Sequence, residues 1–262
     1  VRAALGRYFK VVDADDWIAT DNLSSFLDNL ERTTADVIIN SFHTINITNG
    51  ETRLYSAKCA INNTLCSVEE MMKQYDNIAT CCSIHGLTYR REVYSNSGIE
   101  MSEGVYYEDN EYAILPFLNV NTVLILPFSF YQYRIGDTEQ SVSVKNQVLR
   151  IGDKEKVILK LLKYIPENTG ENNSLCSYYK RRMMALITGY YVTALIMFSN
   201  KKAGNSIAKK MHDKIKQYDL FSSMTFKYRV MQICSFLRLA PEFYQAMVDN
   251  ETLRKFFRRL LK

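Results

Sequence analysis

Residues 8–17 read Tyr-Phe-Lys-Val-Val-Asp-Ala-Asp-Asp-Trp, a short apolar run that stops in three carboxylates, Asp13, Asp15 and Asp16. The run is β-branched and aromatic, and too short for a helix, so it reads as a buried central strand. On an extended backbone, residues two apart point to one side. Asp13 and Asp15 are therefore expected to leave the strand facing the same spot. Two carboxylates there repel each other unless a positive charge sits between them, and a hard divalent cation such as Mg²⁺ or Mn²⁺ suits oxygen ligands. A plainer reading stands beside this one. Asp-rich turns also cap helices, and Asp16 or Asp21 would serve the next one.

The 262 residues give room for one large domain or two smaller ones with ample core. Residues 1–150 carry 12 basic and 19 acidic groups, whereas residues 151–262 carry 21 and 9. Such a split points to two regions with different partners. The basic half either meets an anionic membrane face or is a solvated helical surface, the simpler account. Its cations are spread over several helices with no nucleic-acid reader motif, so no nucleic-acid partner is expected. The six cysteines lack paired zinc spacing, which implies reduced, mostly buried thiols in a cytoplasmic protein. The chain opens Val-Arg-Ala-Ala-Leu, with no signal peptide and no Met, and reads as beginning inside a domain.

The rhythm along the chain is α/β. A helix is expected over residues 21–32, with Asp21 as its cap, and a strand over 35–42. Residues 43–66 suit a hairpin or a mobile loop. Ser67-Val68-Glu69-Glu70 has the form of a capping box and should start a helix reaching residue 75. A short helix is expected near 89–95. Glu108 and Asp109 follow an aromatic run and precede an amphipathic helix marked by Tyr112, Leu115 and Leu118. Strands are expected at 122–126 and 128–134, separated by Pro127, and a polar loop at 136–143. Everything from Lys145 reads helical, over 145–164, 175–199, 205–217, 222–238 and 241–261, with a linker at 167–174. Residues 183–199 are uncharged but carry Thr188, Gly189, Tyr190, Tyr191 and Thr193. They suit a buried helix better than a bilayer span.

Three motifs occur in order. Residues 6–17, Gly-Arg-Tyr-Phe-Lys-Val-Val-Asp-Ala-Asp-Asp-Trp, resemble the segment around the Asp-x-Asp motif of the family 2 glycosyltransferases. Residues 106–112, Tyr-Tyr-Glu-Asp-Asn-Glu-Tyr, are similar to that family's Glu-Asp motif. Residues 131–136, Tyr-Gln-Tyr-Arg-Ile-Gly, with Gln140-Ser141-Val142-Ser143, resemble a loop common in bacterial members. The resemblance implies a partial GT-A nucleotide-sugar sheet domain over residues 1–144 and an all-α C-terminal region over 145–262. The strand and helix that hold the nucleobase in that family, ahead of the Asp-x-Asp, are missing from this chain.

The same resemblance implies transfer of a sugar from a nucleotide diphosphate sugar to an acceptor hydroxyl on a saccharide or polyol. The setting would be cell-surface polysaccharide synthesis, at or near the inner face of the membrane. Asp15 is implied as the direct ligand of Mg²⁺ or Mn²⁺. Asp13 would bind the ribose or help hold the ion, and Asp16 would orient the turn. Asp109 is implied as the base that takes the acceptor proton, with Glu108 beside it, and attack opposite the leaving group would invert the sugar carbon. Without the resemblance, Glu108 and Asp109 read as helix-start residues. Gln140 and Ser141 would line a loop over the product phosphates, or form an ordinary turn. Arg134 would meet a phosphate or pair with an acid. His85 reaches the acceptor or is a structural histidine, and Trp17 is expected as a core anchor. The acids near 13 and near 109 should line opposite walls of one pocket.

Two other readings compete. Haloacid-dehalogenase phosphatases also place Asp-x-Asp after a strand, but need Thr or Val where Trp17 stands. Alternatively, the chain is a non-catalytic helical docking module.

Overall fold

The computed structural model describes residues 4–137, 143–164 and 173–238. The expected helix at 241–261 and the sites Gln140 and Ser141 lie outside the described residues, as does most of the linker. Two compact units form: residues 1–140 with 164–179, and residues 141–163 with 180–262.

The first unit is built on a mixed sheet. Its strands are β1 (Tyr8–Phe9), β2 (Trp17–Ile18), β3 (Val37–Asn46), β4 (Thr52–Tyr55), β5 (Leu65–Ser67), β6 (Leu87–Arg90) and β7 (Thr122–Ile135). The order is β1-β6-β3-β7-β2, with β4 added to β3 and β5 to β7. β3 and β7 are parallel, and every other pair is antiparallel.

Residues alternate between the faces of β3 and β7, and both faces are buried. Val37, Ile39, Val123, Ile125 and Tyr131 enter one core, while Ile38, Leu124, Leu126 and Phe130 enter the other. Helix α1 (Leu23–Arg32) covers the second core through Phe26 and Leu30. The first core is covered by α2 (Val68–Lys73), α3 (Tyr75–Ile78), α4 (Arg91–Asn96) and α5 (Asp109–Ile114). Covering both faces explains why these strands read as continuous apolar runs.

Several expectations are met locally. Residues 43–66 contain the hairpin β3–β4. Ser67 and Glu70 form the full capping box at the start of α2. Four differ. The run at residues 8–12 is not a central strand: only Tyr8 and Phe9 pair, at one edge of the sheet, because the chain turns away toward the acids. Asp21 makes no cap. Asn22 precedes α1, and its side chain donates instead to the Ser129 carbonyl, at 2.7 Å. Trp17 is no core anchor, being 43% exposed on the opposite edge strand. Finally, Pro127 does not separate two strands. β7 runs through it with shifted register: Asn40 pairs with Leu126, and the next residue, Ser41, pairs with Ser129. Proline has no N–H to donate, so a bulge tolerates it where a regular ladder would not. The Ser41 hydroxyl secures the bulge, donating to the Pro127 carbonyl and accepting from the Ala57 N–H, both at 2.8 Å.

The second unit is helical. It holds α6 (Val144–Leu149), α7 (Ile151–Leu161), most of α8 (Ser174–Val192), a π-helical turn (Thr193–Met197), α9 (Lys201–Ile215) and α10 (Met224–Phe236). The helix expected over 145–164 is thus broken at Arg150. Tyr190, Tyr191, Leu195, Met211, Ile215 and Met224 are buried in its core. Gly204 lets α9 approach the π turn, since a Cβ there would meet the Ala194 carbonyl oxygen at 2.1 Å. Among the described residues no helix is long and apolar enough to cross a membrane.

Candidate functional site

The three acids do not sit on an extended backbone. Residues 14 and 15 form a turn, closed by a hydrogen bond from the Asp16 N–H to the Asp13 carbonyl, at 3.1 Å. A turn of this kind returns its first and fourth residues to one side. Asp13 and Asp16 therefore face together, and alternation, which pairs Asp13 with Asp15, does not apply.

Tyr131 of β7 holds the turn. Its hydroxyl donates to Asp16 Oδ2 at 2.5 Å and accepts from the Asp13 N–H at 3.3 Å. The N–H of Arg134 donates to Asp16 Oδ1 at 2.9 Å. Burial pushes both carboxyls upward. Asp15, Asp16 and Glu108 add to the rise at Asp13, while the bonds from Tyr131 and Arg134 oppose it at Asp16.

His85 completes the group. It lies in the turn before β6, with its ring stacked on Tyr133 at 4.0 Å between centroids and edge-on to Tyr131 at 5.3 Å. Ligand atoms of Asp13, Asp16 and His85 all fall within 4.8 Å of one another. Gly86, next in the chain, has no room for a side chain: a Cβ would meet the Cys81 carbonyl oxygen at 2.0 Å.

Lys10 stands behind this group. Its ammonium donates to the carbonyls of His85, at 2.7 Å, and Leu87, at 3.1 Å, and lies 5.1 Å from the Tyr131 ring centre. Burial lowers its pKa to about 7. Burial, and then the Lys10 charge, lower that of His85 to about 3, so the imidazole is neutral at physiological pH.

Glu108 and Asp109 open α5, where the plainer reading put them. Glu108, the residue at its N-cap, makes no side-chain cap bond. Burial raises the Glu108 pKa, with Asp109 and Glu111 adding to the rise. The fully buried Glu111 instead fixes the preceding loop, accepting from the Ser102 N–H at 2.9 Å and the Ser102 hydroxyl at 2.7 Å. The two acidic stretches share one region of the first unit. Glu108 bears on Asp13, and Asp16, Asp109, Asp13 and Asp15 all raise the pKa of Tyr133, after burial.

Asp15 is exposed and is not in the Asp13–Asp16–His85 group, although its charge reaches Asp13, Asp16 and His85. Arg134 pairs with Asp137 at 3.9 Å. Sequence reasoning missed Lys10 and Tyr131. A lysine inside the apolar run at residues 8–12 was the available signal for the first.

The donor set fits a divalent cation. Two carboxylates and a neutral imidazole offer oxygen and nitrogen ligands suited to Mn²⁺ or Mg²⁺. A ligand histidine must be unprotonated, and burial has already arranged that here.

Residues 1–98 match the family model described as "Glycosyl transferase family 2". Among solved structures, S. aureus TarS 1-349 in complex with UDP-GlcNAc is similar at 12% identity, with a TM-score of 0.53, covering 94% of this chain and 69% of that one. S. aureus TarS 1-349 without a named ligand gives 11% identity and a TM-score of 0.47, over 94% and 68%. No curated protein matches the chain. The first of these likenesses, at 12% identity, is one of fold. The match to the family 2 glycosyltransferase model is thus confined to residues 1–98, and the sheet has the GT-A fold.

Proposed function

We propose that the chain transfers a sugar, with inversion, from a nucleotide diphosphate sugar to a hydroxyl of a saccharide or polyol in cell-surface polysaccharide synthesis. One observation carries this reading: carboxylates from residues 13–16 and from residue 109, far apart in sequence, bear on one half-buried tyrosine, Tyr133. Such convergence costs stability through like-charge repulsion and is expected where chemistry needs it. The UDP-GlcNAc bound by TarS supplies the class of donor.

Asp13, Asp16 and His85 would hold Mg²⁺ or Mn²⁺, with Asp15 closing the site from its exposed side. When bound, the cation offsets the negative charge that builds on the leaving diphosphate. Tyr131 and the Arg134 N–H keep Asp16 oriented toward it. Asp109 accepts the proton of the attacking hydroxyl, and Glu108 keeps the region around it negative. Inversion follows if attack comes from the side opposite the diphosphate. Gln140 and Ser141 would meet the product phosphates.

Asp109→Asn tests the assignment. Transfer should fall by about 10²–10⁴-fold, the usual worth of a general base. Binding of UDP with Mn²⁺, measured by calorimetry, should be unchanged. Wild-type turnover in that variant rules out Asp109 as the base.

A further inference from the structure

Within the helical unit, α9 and α10 flank an open cavity of about 410 Å³, lined by Lys201, Lys202, Asn205, Gln232, Ser235, Phe236 and Arg238. Three cations face it, and among the described residues no carboxylate does. Its floor is tied together. Asn205 donates to the Lys201 carbonyl at 2.8 Å and to the Ser235 hydroxyl at 3.2 Å, while Lys201 donates to the carbonyls of Leu195 and Ile196.

The charges are arranged against their own backbone. Lys201 and Lys202 occupy the first turn of a 15-residue helix, where the peptide dipoles already place partial positive charge. No carboxylate among the described residues pairs with Lys202 or Arg238. From residue 220 to residue 238 the sequence has no Asp or Glu at all. An anion in the cavity would supply the missing counter-charge.

A second feature adjoins it. Ile233, Phe236 and Leu237 lie three and four residues apart, on one face of the end of α10, and are 60%, 85% and 63% exposed. Phe226, seven residues before Ile233, continues the stripe and is 51% exposed. Exposed apolar side chains beside cations suit the surface of a membrane that carries anionic headgroups. A second copy of the chain would set the same cations against each other. A nucleic-acid backbone would leave the apolar stripe unused.

We propose that this cavity takes the phosphate headgroup of an anionic phospholipid while the exposed face of α10 enters the membrane interface. The surface belongs to the helical unit and does not depend on the sugar-transfer reading.

Cosedimentation of the 262-residue chain with vesicles tests it. Binding is expected to phosphatidylcholine vesicles containing phosphatidylglycerol, weakening as salt rises, and not to phosphatidylcholine alone. Lys202→Gln and Arg238→Gln should each weaken that binding about fivefold, the usual worth of one cation at such a surface. Phe236→Ser with Leu237→Ser should also weaken it. All four side chains lie on the surface, and circular dichroism should show unchanged helicity. Equal binding to both kinds of vesicle, or full anionic binding by these variants, overturns the proposal. So does stabilisation by inorganic phosphate with no vesicle binding, or a dimer in sedimentation velocity that Phe236→Ser abolishes.

Discussion

The hydroxyl of Tyr131 reaches Asp16 at 2.5 Å, across 115 residues of sequence. The same oxygen accepts from the Asp13 N–H. One phenol thus fastens both ends of the acidic turn to β7. Tyr131→Phe keeps the ring in the core but removes both bonds. A hydrogen bond to a charged group contributes roughly 1.5–3 kcal/mol. We expect a lower midpoint in thermal denaturation and weaker Mn²⁺ binding by calorimetry, with the fold retained.

Asp15 and Asp16 should separate when each is changed to Asn. Asp16 accepts from both Tyr131 and Arg134, so Asp16→Asn should lower both thermal stability and Mn²⁺ affinity. Asp15 is exposed, and its charge adds to the repulsion on Asp13 and Asp16. Asp15→Asn should leave the metal-free midpoint unchanged or slightly higher, while weakening Mn²⁺ binding. Paired melting curves with and without Mn²⁺ read both effects. A drop in the metal-free midpoint for Asp15→Asn would contradict this division of roles.

Gly86→Ala should be among the most damaging single changes in the first unit. The added methyl would meet the backbone of Cys81 at 2.0 Å and of Asn40 at 3.0 Å, neither of which can rotate away. Overpacking against backbone costs about 1–3 kcal/mol or more. The loss should appear in urea unfolding, together with weaker metal binding, because His85 is the adjoining residue.

His212 gives the helical unit an acid-side weakness. Its Nδ1 lies 3.0 Å from the Tyr191 hydroxyl, and its ring stacks on Tyr228 at 4.1 Å. Burial lowers its pKa below 6.5; Asp213 opposes this, and Lys216 and Arg229 add to it. The unfolded chain therefore takes up this proton first as pH falls. Stability from the neutral ring is complete above pH 6.5 and is lost as pH drops through the folded value. His212→Gln should be less stable than wild type at pH 8 yet lose less between pH 7 and 5. Melting curves across that range would show the two slopes.

How legible this was depended on the reach of each interaction. The Ser67–Glu70 box lies within four residues and was read correctly, because everything it needs is local. The paired apolar strands were also plain, since burial on both faces leaves an unmistakable composition. The shape of the acidic turn was not. Asp13, Asp15 and Asp16 were visible as a cluster, but which two face together is decided by a turn that Tyr131 and Arg134 hold from β7. His85 showed only as an isolated histidine, and its neighbours Tyr131 and Tyr133 lie beyond any local pattern. Pro127 misled for the opposite reason: a strong local breaker was absorbed by a bulge that Ser41 supports from another strand.

The parallel pairing of β3 with β7 brings together partners such as Asp36 and Thr122, 86 residues apart. The far half of β7 then delivers Tyr131, Tyr133 and Arg134 to the acids. A nascent chain cannot assemble this region piecemeal, for the turn at residues 13–16 has no clamp until residue 134 has emerged. Synthesis must run almost to the end of the sheet before the first acids find their places.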